Sequence, residues 1–184
     1  LIVTVMVLAI SLLAVSREKE LGSFDELMVL PLSSFDILVG KTIPAFLVAL
    51  FNATLYMILI PLVYGVPLLG SLALLYMAAI AYALALTGVG LALSCLAQSQ
   101  QQSFLMGFMV LVPMTLVSGY ASPVDNMPEW LQIMAKGNPV YHMLVISQGI
   151  FLKDLSTREV LGHVWPMLAV AGVTLTIAAR LFRA

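Results

Sequence analysis

The chain has 184 residues, 62% hydrophobic and 9% charged, against roughly 45 to 50% apolar and about 25% charged in soluble domains. Such a composition cannot clothe a soluble surface, and eight Lys+Arg against nine Asp+Glu leave no basic footprint for nucleic acid. The one cysteine, Cys95, excludes an internal disulfide and a cysteine-rich metal site.

Five apolar segments follow in chain order: up to Val15, Thr42 to Tyr64, Leu72 to Leu96, Ser103 to Tyr120, and Val164 to about Leu181. All are predicted helices, because hydrocarbon leaves no backbone polar group unpaired and the runs lack the alternation of barrel strands. From Thr42 to Val124 no Asp, Glu, Lys or Arg occurs, enough for about three spans at ~20 residues each. Leu1 to Val15 is too short for a full span and lacks the basic start of a signal peptide, so it reads as a truncated transmembrane helix. The fold expected is all-α: a polytopic transmembrane bundle of about five spans over residues 1–184.

Between the first two apolar segments, residues 16–41 are charged. Arg17-Glu18-Lys19-Glu20 is followed by Leu21-Gly22 and by Ser23-Phe24-Asp25-Glu26, which has capping-box spacing and predicts a helix starting at Ser23. Leu21, Phe24, Leu27 and Met28 fall on one face, giving a short amphipathic interfacial helix that Pro31 ends. Ser33 to Asp36 offers a second cap, from which a helix enters the membrane through Gly40 and Lys41 with a kink at Pro44. Gly40-Lys41-Thr42 is not a phosphate-binding loop, since Phe35 stands where that motif needs glycine.

In Leu72 to Leu96, small residues recur four apart at Ala79 and Ala83, Ala81 and Ala85, Gly88 and Ala92, and Gly90 and Ser94. That pattern lets helix backbones approach closely and predicts a helix buried in the bundle. Residues 121–163 form a long extracytoplasmic segment with two short helices, Glu129 to Ala135 and Tyr141 to Phe151, started by Pro128 and Pro139. They are too apolar for a free loop and are expected to lie in the interface or re-enter the membrane. His142 and His163 show no metal-ligand spacing and read as loop or interfacial histidines.

Arg17, Lys19 and Lys41 flank one loop, and Arg180 and Arg183 end the chain. With five spans these share a side, which the retention of basic residues makes cytoplasmic. Tyr64, Tyr120 and Trp165 would mark the opposite interface. The middle spans lack the ionisable groups that ion coupling or intramembrane catalysis needs, so energy must arrive from outside them.

Two stretches together resemble the permease of the ABC-2 type transporter family, specifically its drug-efflux-like exporter branch. They are Arg17-Glu18-Lys19-Glu20-x-Gly22-Ser23 with Leu27, Pro31 and Gly40-Lys41-x-x-Pro44, and Ser118-Gly119 with Pro123, Met127, Pro128, Asn138-Pro139, His142 and Gly149. The resemblance covers nearly the whole chain, read as the C-terminal half of such a permease. Ser23 stands where the family more often has threonine, which keeps a capping hydroxyl. The resemblance implies a multi-pass subunit of the bacterial inner membrane with a cytoplasmic C-terminus, itself not an enzyme. It implies that ATP is bound and hydrolysed by separate cytoplasmic ATPase subunits, that this chain binds no cofactor, and that it pairs with a second permease copy or homologue. Glu18 to Leu30 would be the coupling helix, with Glu18, Lys19, Glu20, Gly22, Ser23, Asp25, Glu26, Leu27 and Pro31 meeting the ATPase. Ser118, Gly119, Pro123, Met127, Pro128, Asn138, Pro139 and His142 would form an outer gate. The expected function is export of a lipophilic or amphipathic compound; the alternative is a non-transporting membrane scaffold or assembly partner.

Overall fold

The computed structural model describes residues 1–23, 34–65, 70–153 and 155–182. Among them lie seven α-helices and no strand: α1 Ile2–Leu21, α2 Ser34–Tyr64, α3 Leu72–Leu96, α4 Gln100–Leu116, α5 Glu129–Lys136, α6 Pro139–Leu152 and α7 Thr157–Leu181. The expected helical bundle is therefore what forms. Three helices are long and apolar enough to cross a membrane, Asp36–Val63 within α2, Leu72–Leu96 and Thr157–Leu181. The other two expected spans are the shorter or more charged α1, which carries Arg17 to Glu20 in its last turns, and the 17-residue α4.

The boundaries show what local chemistry decides. The α1 helix does not stop at its charges; it runs through Arg17 to Leu21 and ends where Gly22 adopts φ 73°, its N–H bonding the Lys19 carbonyl. A left-handed residue closes a helix at low cost only when it lacks a Cβ. Glu18 to Leu21 thus belong to α1 and not to a separate coupling helix, and the helix expected from Ser23 lies outside the described residues. Likewise α7 starts at Thr157, ahead of the expected Val164, because Ser156 and Glu159 form a reciprocal capping box.

The buried helix is α3, which packs against α7, α1, α2, α6 and α4. Ala78, Ala79, Ala81, Ala83, Ala85, Gly88 and Gly90 are all buried along it, as the small-residue spacing predicts. Large side chains from its neighbours, among them Leu8, Ile146, Ile150 and Met167, fill the space these alanines leave. Outward faces stay apolar: on α2, Leu47, Phe51, Ile58 and Leu62 are exposed, as lipid-facing residues are. Several core hydroxyls find partners within it, although the Thr87 hydroxyl has none among the described residues: Thr4 and Tyr82 meet at 2.5 Å, and Ser94 and Ser103 both donate to the Leu12 carbonyl at 2.7 Å.

Candidate functional site

The polar groups gather at the two ends of this apolar bundle. At one end, the last turns of α1 tie three neighbours together. The Glu18 carboxylate pairs with the Lys41 ammonium of α2. Lys19 Nζ donates to the Cys95 carbonyl at 2.5 Å, in the C-terminal turn of α3, where exposed carbonyls and the helix dipole favour a cation. Glu20 Oε2 accepts the Gln100 N–H at 2.6 Å, at the N-terminus of α4, where the dipole favours an anion. Lys19 and Glu20 each sit on the helix pole that attracts their charge. Ser99 caps the same terminus by accepting the Gln102 N–H, and Gln102 Oε1 accepts the Gln98 N–H at 2.9 Å. Beneath, Val15, Ile37, Leu38, Leu91, Cys95, Ala178 and Phe182 form a small apolar cluster that brings the end of α7 to the same side.

Of the residues expected to meet an ATPase, Glu18, Lys19, Glu20 and Gly22 are thus placed in or at the end of α1. The Ser23 hydroxyl turns back to the Glu18 carbonyl at 3.5 Å, while Asp25, Glu26, Leu27 and Pro31 lie outside the described residues.

The opposite end is built by α4 to α7. After α4, Gly119 takes φ 88°, and the buried Ser118 donates to the Thr115 carbonyl at 2.7 Å. Pro123 precedes a short 3-10 turn, Val124–Asn126, and Pro128 occupies the N-cap of α5. Gln132 Nε2 holds the connection by donating to the Met127 carbonyl at 2.9 Å. On α5, Trp130 and Ile133 are 63% and 70% exposed, while its Ala135 packs inward; Tyr120 and Trp165 also face outward.

Asn138 joins two elements. Its Oδ1 accepts the Val140 N–H at 3.0 Å, capping α6 with Pro139 at the first position, and its Nδ2 donates to the Met114 carbonyl of α4 at 2.6 Å. Asn138→Ala removes a cap, about 0.5 to 2 kcal/mol, and orphans a carbonyl, about 1 to 3 kcal/mol. Hydrogen exchange is expected to accelerate at the first turn of α6 and not in α3; unchanged protection there would show that Asn138 does not hold α6.

His142, buried on α6, places Nε2 2.8 Å from the Lys136 carbonyl and Nδ1 2.9 Å from Nδ1 of His163. Sequence spacing alone gives these two loop or interfacial histidines no reason to meet. The Ser156-x-x-Glu159 cap was the signal that could have joined them, since it puts His163 inside α7. The structure also brings α6 beside α1, α2 and α3 around an apolar cavity of about 670 Å³, lined by Tyr56, Tyr82, Tyr120, Met143, Leu144 and Phe151 among others. Among the described residues, no Asp, Glu, Lys or Arg lines it. Asn52, Gln98 and Ser118 are not in its wall; Asn52 Nδ2 bonds the Val48 carbonyl of its own helix.

Comparison with known proteins agrees with this architecture. Relatives include the "Probable multidrug ABC transporter permease YbhR" of Escherichia coli K12, 42% identical over 183 residues, covering 100% of this chain and 50% of the relative. The "Inner membrane transport permease YhhJ" of the same organism is 29% identical over 182 residues, covering 98% and 49%. "Probable multidrug ABC transporter permease YbhS" is 26% identical over 153 residues, covering 83% and 41%. The chain spans about half the length of these curated relatives, and no solved structure matches it significantly. Residues 1–152 match the family described as ABC-2 type transporter, and with its helical bundle the chain belongs to that family.

Proposed function

We propose that this chain forms the transmembrane part of a permease subunit of an ATP-driven exporter. It moves a lipophilic or amphipathic compound out across the bacterial inner membrane, with ATP bound and hydrolysed by separate cytoplasmic ABC ATPase subunits and with a second permease copy or homologue as partner. The observation that carries this reading is the division of charge. Among the described residues no Asp, Glu, Lys, Arg or His lines the cavity, whereas Arg17 to Glu20, Lys41 and Arg180 gather at one end. A cavity so lined offers no carboxylate relay for protons or ions, and on this reading the energy enters through that end, which we place in the cytoplasm together with the C-terminus. The apolar, aromatic-lined cavity suits a lipophilic cargo, and the multidrug names of two relatives point the same way.

The weld of α1 to α2, α3 and α4 through Glu18, Lys19 and Glu20 gives the coupling segment a rigid lever. A push on the end of α1 moves four helices together. Ser118 to His142, with exposed Trp130 and Ile133 in the outer leaflet, close the exit. The test is the complete complex reconstituted in phospholipid vesicles. A transported lipophilic compound is expected to raise ATP hydrolysis by the partner; hydrolysis indifferent to a broad panel of such compounds would favour the non-transporting scaffold.

A further inference from the structure

The paired histidines obey a simple proton count. A carbonyl only accepts, so His142 Nε2 carries hydrogen and donates to Lys136, which leaves Nδ1 of the neutral ring as a lone pair. His163 Nδ1–H then supplies the hydrogen of the 2.9 Å contact. One added proton is tolerated: His142 becomes a donor at both nitrogens and His163 takes the Nε2–H tautomer. A second added proton sets N–H against N–H and two like charges side by side, and the bridge cannot survive it.

The Glu159 carboxylate attracts a charged His163, but no charge removes the clash of N–H against N–H. Tyr141 presents its ring to both histidines at centroid distances of 5.2 and 6.2 Å. Glu159, one turn before His163, is the acidic group that acts on it, and its Oε2 is held by Ser156 at 3.0 Å. Arg158 on α7 and Glu129 and Lys136 on α5 are exposed, and α3 and α4 carry no Asp, Glu, Lys, Arg or His. While His142 is bolted to α7, Val140, Met143, Leu144 and Ser147 on other faces of α6 line the apolar cavity. The bridge therefore holds a wall of that cavity.

We propose that His142 and His163 form a proton-operated latch: with zero or one added proton it holds α6 against α7, and with both rings charged it releases α6 and opens the cavity wall. That the opening serves release to the outside rests on the export reading above; the latch itself does not. Burial pulls the pKa of His142 below its ordinary 6.5, the Lys136 carbonyl opposes this, and the charge on His163 adds to it. A lowered histidine pKa means that the unlatched state binds protons more readily. The latch is thus fully stable above the ordinary value and weakens as pH falls from there through the lowered one.

The test uses nitroxide labels at Leu144→Cys and Leu161→Cys in a Cys95→Ser background, with the permease in phospholipid vesicles. At about pH 7.5 one interspin distance is expected, and at about pH 5 a second, longer population, the range over which histidines titrate. In His163→Gln the amide can still donate to His142 but cannot charge, so the longer population is expected to vanish. A distance distribution independent of pH with both histidines present, or the same pH response in His163→Gln, would overturn the latch. Nitrogen-15 resonances of the histidines supply a measurement that needs no variant: two fully protonated rings while the short distance persists would overturn it equally. Export unchanged by external pH while the distance switches would remove the cavity's export role and leave the latch standing.

Discussion

Gly90→Leu is expected to abolish the folded bundle, and Gly90→Ala to lower its melting temperature. A Cβ at Gly90 would collide with Cβ of Ser11 and lie 3.4 Å from the Leu8 carbonyl oxygen. Neither obstacle is the free end of a side chain, so relief requires α1 to move away from α3. Ser11 is fully buried and bonded to Val7 of its own helix at 2.7 Å, which leaves no local slack. Overpacking of this kind costs about 1 to 3 kcal/mol, a large share of a total stability of roughly 5 to 15 kcal/mol, and leucine adds three more carbons to the same contact. Gly88 is more forgiving, because the nearest atom there is the Thr174 hydroxyl, although Leu175 Cγ at 3.2 Å and Thr174 Cβ at 3.3 Å limit the room. The control is Gly172→Ala, where nothing lies within 4 Å and alanine should stabilise the helix by about 0.5 to 1 kcal/mol. The measurement is thermal unfolding in detergent with size-exclusion of the soluble fraction. A Gly90→Ala protein that melts with the unsubstituted one would refute the tight α1–α3 contact.

That close approach was legible in the sequence, whereas much of the candidate site was not, and the difference is physical. Leu72 to Leu96 matches α3 at both ends because an apolar run bounded by a Gly-Ser pair and a polar Ala-Gln turn has few alternatives. Small residues four apart specify a face, so burial followed. At Arg17 to Glu20 the charges suggested a loop. Helices tolerate charge in their last turn, however, and the terminator was Gly22 with its positive φ. The short outer helices α5 and α6 were found to within a residue or two, because Pro128 and Pro139 mark their starts.

The roles of individual charges were hidden because their partners are distant in sequence. Lys19 meets a carbonyl 76 residues away and Glu20 an N–H 80 away. Those pairings exist only once α3 and α4 have packed beside α1. His142 and His163 had the same problem, being 21 positions apart with a helix start that the apolar periodicity alone placed too late. Periodicity reports which face of an element is apolar; it does not report which polar groups two packed elements will set against each other.

Glu20→Lys is expected to leave the protein folded and inserted while lowering the amount of compound exported per ATP hydrolysed. Glu20 is exposed, so its contribution to stability is small. Its contact is nevertheless directional: the carboxylate accepts the Gln100 N–H at the start of α4, and the helix dipole there favours an anion by about 0.3 to 1 kcal/mol. A lysine reverses the sign of that interaction and stands next to Lys19, which donates to the Cys95 carbonyl. The first turn of α4 then loses its tie to the end of α1 and keeps only deeper contacts such as Ser103 on the Leu12 carbonyl, while Glu18 still holds α2 through Lys41. If the end of α1 is the lever through which hydrolysis reaches the bundle, a push would carry α2 and α3 fully but the first turn of α4 only in part. Slippage of this sort spends ATP without moving cargo, so hydrolysis should persist as transport falls. Glu20→Gln separates charge from geometry, since its amide oxygen can still accept from Gln100, and it should retain most of the coupling. Export and hydrolysis are measured on the same reconstituted complex. A wild-type ratio of the two in Glu20→Lys would show that the tie between α1 and α4 carries no part of the stroke.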